Sequence, residues 1–307
     1  MNRQLITIVK SEIQSLIREK TVVLLFVVFF LMAFFSASIG WATKATVLSM
    51  YEESVHVLAL SGLTHPPVNP FLIIPHLALF HNLIIYVFLI GALLSIVIGY
   101  TSFIRERKSG ATKLILSRPI TRVRFVSGKI IGTSITLGII MMLLFCISVI
   151  STYFIPSQAL TPPEITNLAL FYLLSTAYMI LFSMLGMSGA LFAKTESLAL
   201  LLPIIIWVAI TFIFPELTTG QNPVALLNPT NISQSTVQGL FFTTTRNVLM
   251  PFSVEQFYTS VATAILDALP SFPIQSLMAL LTYLIASIGS VYYVASIYRP
   301  TEDTLYD

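Results

Sequence analysis

The chain has 307 residues, of which 56% are hydrophobic and 9% charged, and its mean hydropathy is +0.90. Those values exclude a water-soluble globular domain and place the chain among polytopic membrane proteins. The formal net charge of +3 comes from residues flanking the apolar runs and does not call for nucleic acid as a partner.

At the N-terminus, Leu5, Val9, Ile13, Leu16 and Lys20 fall on one helical face with Ile6 and Ile17 beside them, while Arg3, Lys10, Gln14 and Arg18 point away. Apolar positions three and four apart, backed by a basic face, predict an interfacial helix over 1–20. A continuous extension of the first membrane helix is the alternative. Crossing about 30 Å of hydrocarbon takes about 20 helical residues. Runs of that kind occupy 21–43, 77–104, 130–155, 165–193, 198–214 and 274–298. The expected fold is therefore all-α, a single membrane domain over 1–307 with six transmembrane helices. Ser36 to Ser38 resembles a signal-cleavage site, but the apolar run around it is too long for a signal peptide and reads as a retained helix. Cys146 is the one cysteine, so no disulfide forms within the chain.

Placing the N-terminus in the cytoplasm leaves fourteen of the sixteen Lys and Arg residues inside, with Lys44 and Arg246 outside. Both termini are then cytoplasmic, in a multi-pass protein of the cytoplasmic membrane. An external segment over 44–76 carries Glu52 and Glu53 and a Pro-rich turn from His65 to Pro70. A longer one over 215–273 contains Ser253 and Gln256 in a capping-box pattern. Val254, Phe257, Tyr258, Val261, Ile265 and Leu269 follow at helical spacing, which predicts an amphipathic helix lying on the outer face or dipping into it. Asn231, Ile232 and Ser233 form a glycosylation sequon there, and no internal repeat is visible.

None of the six expected cores carries Asp, Glu, Lys or Arg away from its ends, and His81 is the one imidazole, near the outer end of the second. Ion-coupled transporters and voltage sensors keep such groups inside the membrane. The chain also lacks a phosphate-cradling GxxxxGK[ST] loop. If it drives transport, the energy enters from a separate subunit, and the chain itself is no enzyme.

Between the second and third runs, residues 105–129 hold eight basic residues and one acid, Glu106. Gly110 permits a break, Ala111 to Leu116 offers a short helix ending in Leu114, Ile115 and Leu116, Pro119 stops it, and Thr121 is placed to cap the next helix. An apolar tip inside a basic loop suits docking in a partner's groove. Charges that serve only topology and anionic headgroups are the alternative.

Arg105 and Glu106, then Gly110, Leu114, Leu116, Arg118, Pro119 and Arg122, and finally Gly128 and Lys129, resemble the signature of ABC-2 type ABC transporter permeases. The overall plan is similar too. Chain length and the stretch Leu227, Asn228 and Pro229 resemble the permease used in nitrous oxide reductase maturation. One departure is Ala111, where members of the family commonly carry Thr directly after the loop glycine. The resemblance implies an exporter built from two such chains, identical or paralogous, set in the lipid bilayer and clasped by two ATPase subunits that carry the ATP and Mg. The loop then corresponds to the coupling helix, with Leu114, Ile115, Leu116, Arg118, Pro119 and Arg122 docking and Glu106 orienting the basic cluster. Lys194, Thr195 and Glu196 make a second, smaller contact. Asn82, Tyr86, Tyr178, Gln275 and Tyr283 are candidates for the cargo path, and each serves equally well as an interhelical hydrogen bond or an interface anchor. With no fixed charge in the cores, a neutral, amphipathic or lipid-like cargo fits better than a bare ion.

Two other chemistries have a foothold. Gly186, Met187, Ser188 and Gly189 match the GxSG string of rhomboid intramembrane proteases, yet no histidine follows on the last helix to act as base, and close helix packing explains the string better. His56, His65, His76 and His81, with Glu52 and Glu53 nearby, could serve a copper- or zinc-linked transport permease, although their spacing is irregular. A passive channel or a membrane scaffold is the remaining alternative.

Overall fold

The computed structural model describes residues 3–60, 76–108, 121–153, 160–219 and 240–297, and every regular element among them is helical. The first helix, α1 (Arg3–Arg18), ends where the Glu19 amide turns back to the Leu16 carbonyl at 3.2 Å. A new helix, α2 (Lys20–Leu60), starts at the next residue. The amphipathic segment is thus a separate helix. Its buried side chains are Val9, Glu12 and Leu16, whereas Ile6 and Ile17 are exposed, so the inward face differs from the apolar stripe expected over 1–20.

α2 runs unbroken for 41 residues, about 60 Å at about 1.5 Å per residue. The expected crossing over 21–43 lies within it, including a shorter apolar stretch at Val22–Met32. The first part of the expected external segment, with Glu52, Glu53 and His56, continues the same helix. Its Pro-rich turn lies outside the described residues.

Five helical stretches among the described residues are long and apolar enough to cross a membrane: His81–Arg107, Arg122–Thr152, Pro162–Phe192, Glu196–Ile213 and Ile274–Ile297. The first begins with a 3₁₀ turn at His76–Phe80 and continues through α3 (His81–Tyr86), a π-helical turn at Val87–Gly91, and α4 (Ala92–Lys108). After the loop comes α5 (Arg122–Tyr153), then α6 (Pro162–Phe192) and α7 (Glu196–Val208). A second π turn, Ala209–Ile213, follows α7. Each π turn disturbs the regular backbone ladder. Trp207, beside the second, reaches the Phe88 carbonyl in the first through its indole N–H at 3.5 Å.

Both ends of the expected cytoplasmic loop over 105–129 are helical, since α4 runs to Lys108 and α5 begins at Arg122. Thr121 caps α5 as its sequence position predicts: its carbonyl accepts from the Phe125 amide at 3.1 Å and its hydroxyl from the Arg124 amide at 3.4 Å. Gly110, Leu114, Ile115, Leu116, Arg118 and Pro119 lie outside the described residues.

α6 is the centre of the bundle and packs on α4, α5, α7 and on two later helices, α10 and α11. Its crossing with α4 brings backbones into contact. A Cβ on Gly99 would strike the Ser183 carbonyl, and one on Gly186 the Ile96 carbonyl. The contact therefore needs glycine on both sides, as small residues permit close helix approach in membranes.

The long segment over 215–273 contains more helix than its periodicity indicates. It holds α8 (Phe214–Thr219), α9 (Leu240–Leu249), a 3₁₀ turn at Met250–Phe252, and α10 (Val254–Leu266). α10 is the helix expected from the spacing and packs against α3, α6 and the final helix, α11 (Ile274–Ile297). Ser253 occupies its N-cap, but the expected capping box does not form, because the Ser253 hydroxyl is buried with no partner among the described residues. A reciprocal cap occurs instead at the start of α6, where the Glu164 carboxylate accepts from the Thr161 amide and hydroxyl, each at 2.7 Å. The sequon and Leu227 to Pro229 lie outside the described residues.

Candidate functional site

The strongest constellation of charge sits where α1 meets the two helices that flank the loop 109–121. Lys129, on the first turns of α5, is 1% exposed, and its ammonium pairs with Glu12 of α1 and, at 2.6 Å, with Glu106 of α4. It also donates to the Ser102 carbonyl at 2.8 Å. Phe103 and Phe125, edge to face at 6.1 Å, lie within 5.9 Å of the ammonium and complete the dry wall around it. Arg105 approaches the same Glu12 oxygen at 3.4 Å from the half-exposed side. Two acids and two bases thus balance in one buried cluster, the condition under which buried charge is tolerated.

Close packing makes this possible. Gly128 and Gly132 form a GxxxG pair on α5, and a Cβ at either would collide with α1, on Ile8 at the first and within 2.8 Å of Glu12 Cβ at the second. α1 therefore lies directly on α5, with Lys129 between the two glycines reaching across. The surprise relative to the sequence is Glu12. It stands between Val9 and Leu16 on an otherwise apolar face, and that interruption, together with the GxxxG string opposite, was the available signal.

A second anchor uses Arg107, also buried. Its guanidinium donates to the carbonyls of Ala190 at 3.2 Å, Ala193 at 2.6 Å and Lys194 at 2.7 Å. The last carbonyls of a helix have no intrahelical partner. Arg107 satisfies them and binds the end of α6, and the link that follows, to the end of α4. In that link Lys194 is exposed, Thr195 caps α7 by accepting from the Leu198 amide at 3.4 Å, and Glu196 opens the helix. The residues 194–196 and the last turn of α4 thus belong to one end of the molecule. Arg122, exposed, begins α5 at the same end.

A family model for ABC-2 family transporter proteins matches residues 6–299. The chain belongs to that family. The match covers nearly the whole chain, including α1, both anchors and the final helix, so this ABC-2 protein is a membrane-spanning transport permease throughout its length. A comparison with curated proteins returns no match.

Away from the charge cluster of the permease, the candidate path residues do not form one lining. Tyr178 is buried and stacks on Tyr258 with ring centroids 4.3 Å apart; Tyr258 in turn shares a hydrogen bond of 2.8 Å with Ser175. Asn82 and Tyr86 are half-buried on α3, Gln275 is exposed, and Tyr283 donates to the Pro251 carbonyl. The histidines pair with acids: His76 lies 2.9 Å from Glu164, and His81 2.8 Å from Asp267. His56 is exposed, His65 lies outside the described residues, and no group of three metal-binding side chains assembles among the described residues. Ser188 of the GxSG string meets Ser290 at 3.2 Å, and a Cβ on Gly189 would press on Pro203 and the Ala199 carbonyl, so the string packs helices together.

A buried acid comes instead from outside the six expected cores. α10 carries Glu255 into the bundle, where it is 4% exposed. Burial pushes its carboxyl up to about 7.

Proposed function

We propose that this chain is the permease of an ABC exporter in the cytoplasmic membrane, with both termini in the cytoplasm. It pairs with a second permease copy or paralogue and is driven by separate ATPase subunits that hold ATP and Mg. The family match carries the reading. The buried Glu12, Glu106 and Lys129 cluster gives it a mechanical basis.

In this reading the apolar residues Leu114, Ile115 and Leu116, with Arg118, Pro119 and Arg122, seat the loop in a groove of the ATPase. ATP binding draws the two ATPase subunits together, and the loop follows. Because Lys129 and Glu106 cross-link the helices on either side of that loop, a push on it moves α4 and α5 as one body. Glu12 extends that body to α1, and Arg107 extends it to the 194–196 link, which makes the second contact. Rigid-body movement of packed helices is a standard way to switch access. The likeness to nitrous oxide reductase maturation permeases rests on length and on Leu227, Asn228 and Pro229, and the proposal stops at the family.

Co-purification with an ABC ATPase subunit expressed together with this chain tests it. Replacing Leu114 and Leu116 by Asp abolishes co-purification while membrane insertion persists. Unchanged assembly with that variant overturns the docking role.

A further inference from the structure

Three buried polar groups at the start of α10 have no partner among the described residues: Glu255 Oε2, the Tyr178 hydroxyl and the Ser253 hydroxyl. Their residues are 4%, 2% and 0% exposed. They share one neighbourhood, since Ser253 and Glu255 flank the first residue of α10, Tyr258 follows Glu255 by one turn of the same helix, and Tyr258 stacks on Tyr178. Buried polar groups are nearly always hydrogen-bonded, and a set left open together marks a missing donor.

The chemistry of that donor can be read from the acceptors. A carboxylate accepts only, and phenol and serine oxygens accept as readily as they donate, so a group with several N–H bonds satisfies all three. The stacked rings of Tyr178 and Tyr258, held by Ser175, fix the Tyr178 side chain beside the start of α10. Glu255 has no ion pair among the described residues. In the sequence, segments 61–75, 154–159 and 220–239 contain no Lys or Arg. Outside the basic end, the sequence holds the acids Glu52, Glu53, Glu164, Glu216, Glu255 and Asp267 and, of Lys and Arg, Lys44 and Arg246. Six acids against two bases give this end of the protein a net negative charge that attracts cations.

We propose that Glu255, Tyr178 and Ser253 bind the ammonium group of a cationic amphiphile, whose alkyl chain lies among the apolar helices. Calling that ligand a cargo rests on the permease reading; the binding itself does not. α10 then acts as a cargo-facing element, with its first turn presenting the carboxylate.

The test uses the full chain in nanodiscs of zwitterionic lipid at pH 8, titrated with dodecylamine and, separately, with dodecanol, with binding to empty nanodiscs subtracted. The native chain binds the amine saturably and about tenfold or more tighter than the alcohol, the scale of one charge-assisted contact. Glu255→Gln removes that preference and leaves alcohol binding unchanged, and Tyr178→Phe weakens the amine severalfold with its melting temperature retained. Equal binding of amine and alcohol by the native chain overturns the proposal, as does an undiminished preference in Glu255→Gln. Should Glu255→Gln fail to fold, Tyr178→Phe and Ser253→Ala carry the same decision. Loss of the preference claim with ATPase co-purification intact would remove this site and leave the permease reading standing.

Discussion

Lys129 is an ammonium buried to 1% exposure that reaches two carboxylates and a carbonyl at once. Removing it leaves Glu12 and Glu106 facing each other in a dry pocket, and breaking a buried pair this way costs about 3–5 kcal/mol. Lys129→Met should therefore lower the unfolding midpoint in detergent sharply, and Lys129→Met with Glu12→Gln should recover part of the loss, as a double-mutant cycle measures. Ala268 is a smaller case. It takes φ 49° just after α10, where the Leu269 amide bonds to Ala264 and the Ala268 amide to Ile265, a Schellman ending that glycine normally fills. Ala268→Gly should stabilise by about 1 kcal/mol in the same assay. Glu255 gives a pH signature. Desolvation raises its carboxyl from the ordinary value of 4.5 to about 7, and no cation or acid of α3, α6 or α11 contributes to that shift. The native state then holds the proton more tightly than the unfolded chain does, so stability falls as pH rises between those two values. Melting temperatures of native and Glu255→Gln protein from pH 5 to 8 should diverge, with the native value falling more steeply.

At the scale of elements, hydrophobic length and spacing were enough to locate most helices. The crossings around α4, α5, α6 and α11 stand within a few residues of their apolar runs, and the periodicity of Val254, Phe257, Tyr258 and Val261 identifies α10. Boundaries shifted where polar residues continue a helix: Arg105 to Lys108 extend α4, and Arg122 to Lys129 open α5, because charges at a helix end do not end the helix. α2 likewise passes through Lys44, Glu52 and Glu53. The buried cluster was harder to read. Its members come from three helices far apart in sequence, and composition treats Glu12 as one more polar residue at an interface; only the fold brings it onto Lys129. Glu255 escaped notice for the same reason, since α10 is too short to span a membrane and so falls outside any test applied to spanning segments. The α4–α6 crossing yields a direct prediction: Gly99→Val drives a side chain into the Ser183 carbonyl and should separate the helices, reducing the yield of folded protein from membranes, whereas Gly138→Ala, with open space around it, should leave the yield unchanged.

For the whole molecule, the basic end is braced by buried ion pairs, and buried polar groups without partners among the described residues lie away from it. Two buried anchors tie α1 and the α6–α7 link to the end of α4 and the start of α5. Far from them, α10 sits against α3, α6 and α11 with unpartnered acceptors at its start. α6 touches both regions, giving a continuous packed route from the loop to that helix. The central claim is that the loop receives force from a separate ATPase and the charge cluster passes it on. The deciding measurement is the affinity of the ATPase for the nanodisc-held permease, read together with the ATP hydrolysis rate of the complex, in native, Leu114→Asp/Leu116→Asp and Glu12→Gln chains. The account predicts that the double Asp variant loses ATPase binding, and that Glu12→Gln binds as the native chain does while hydrolysis no longer responds to the permease. Native affinity and native hydrolysis in the double Asp variant would contradict it.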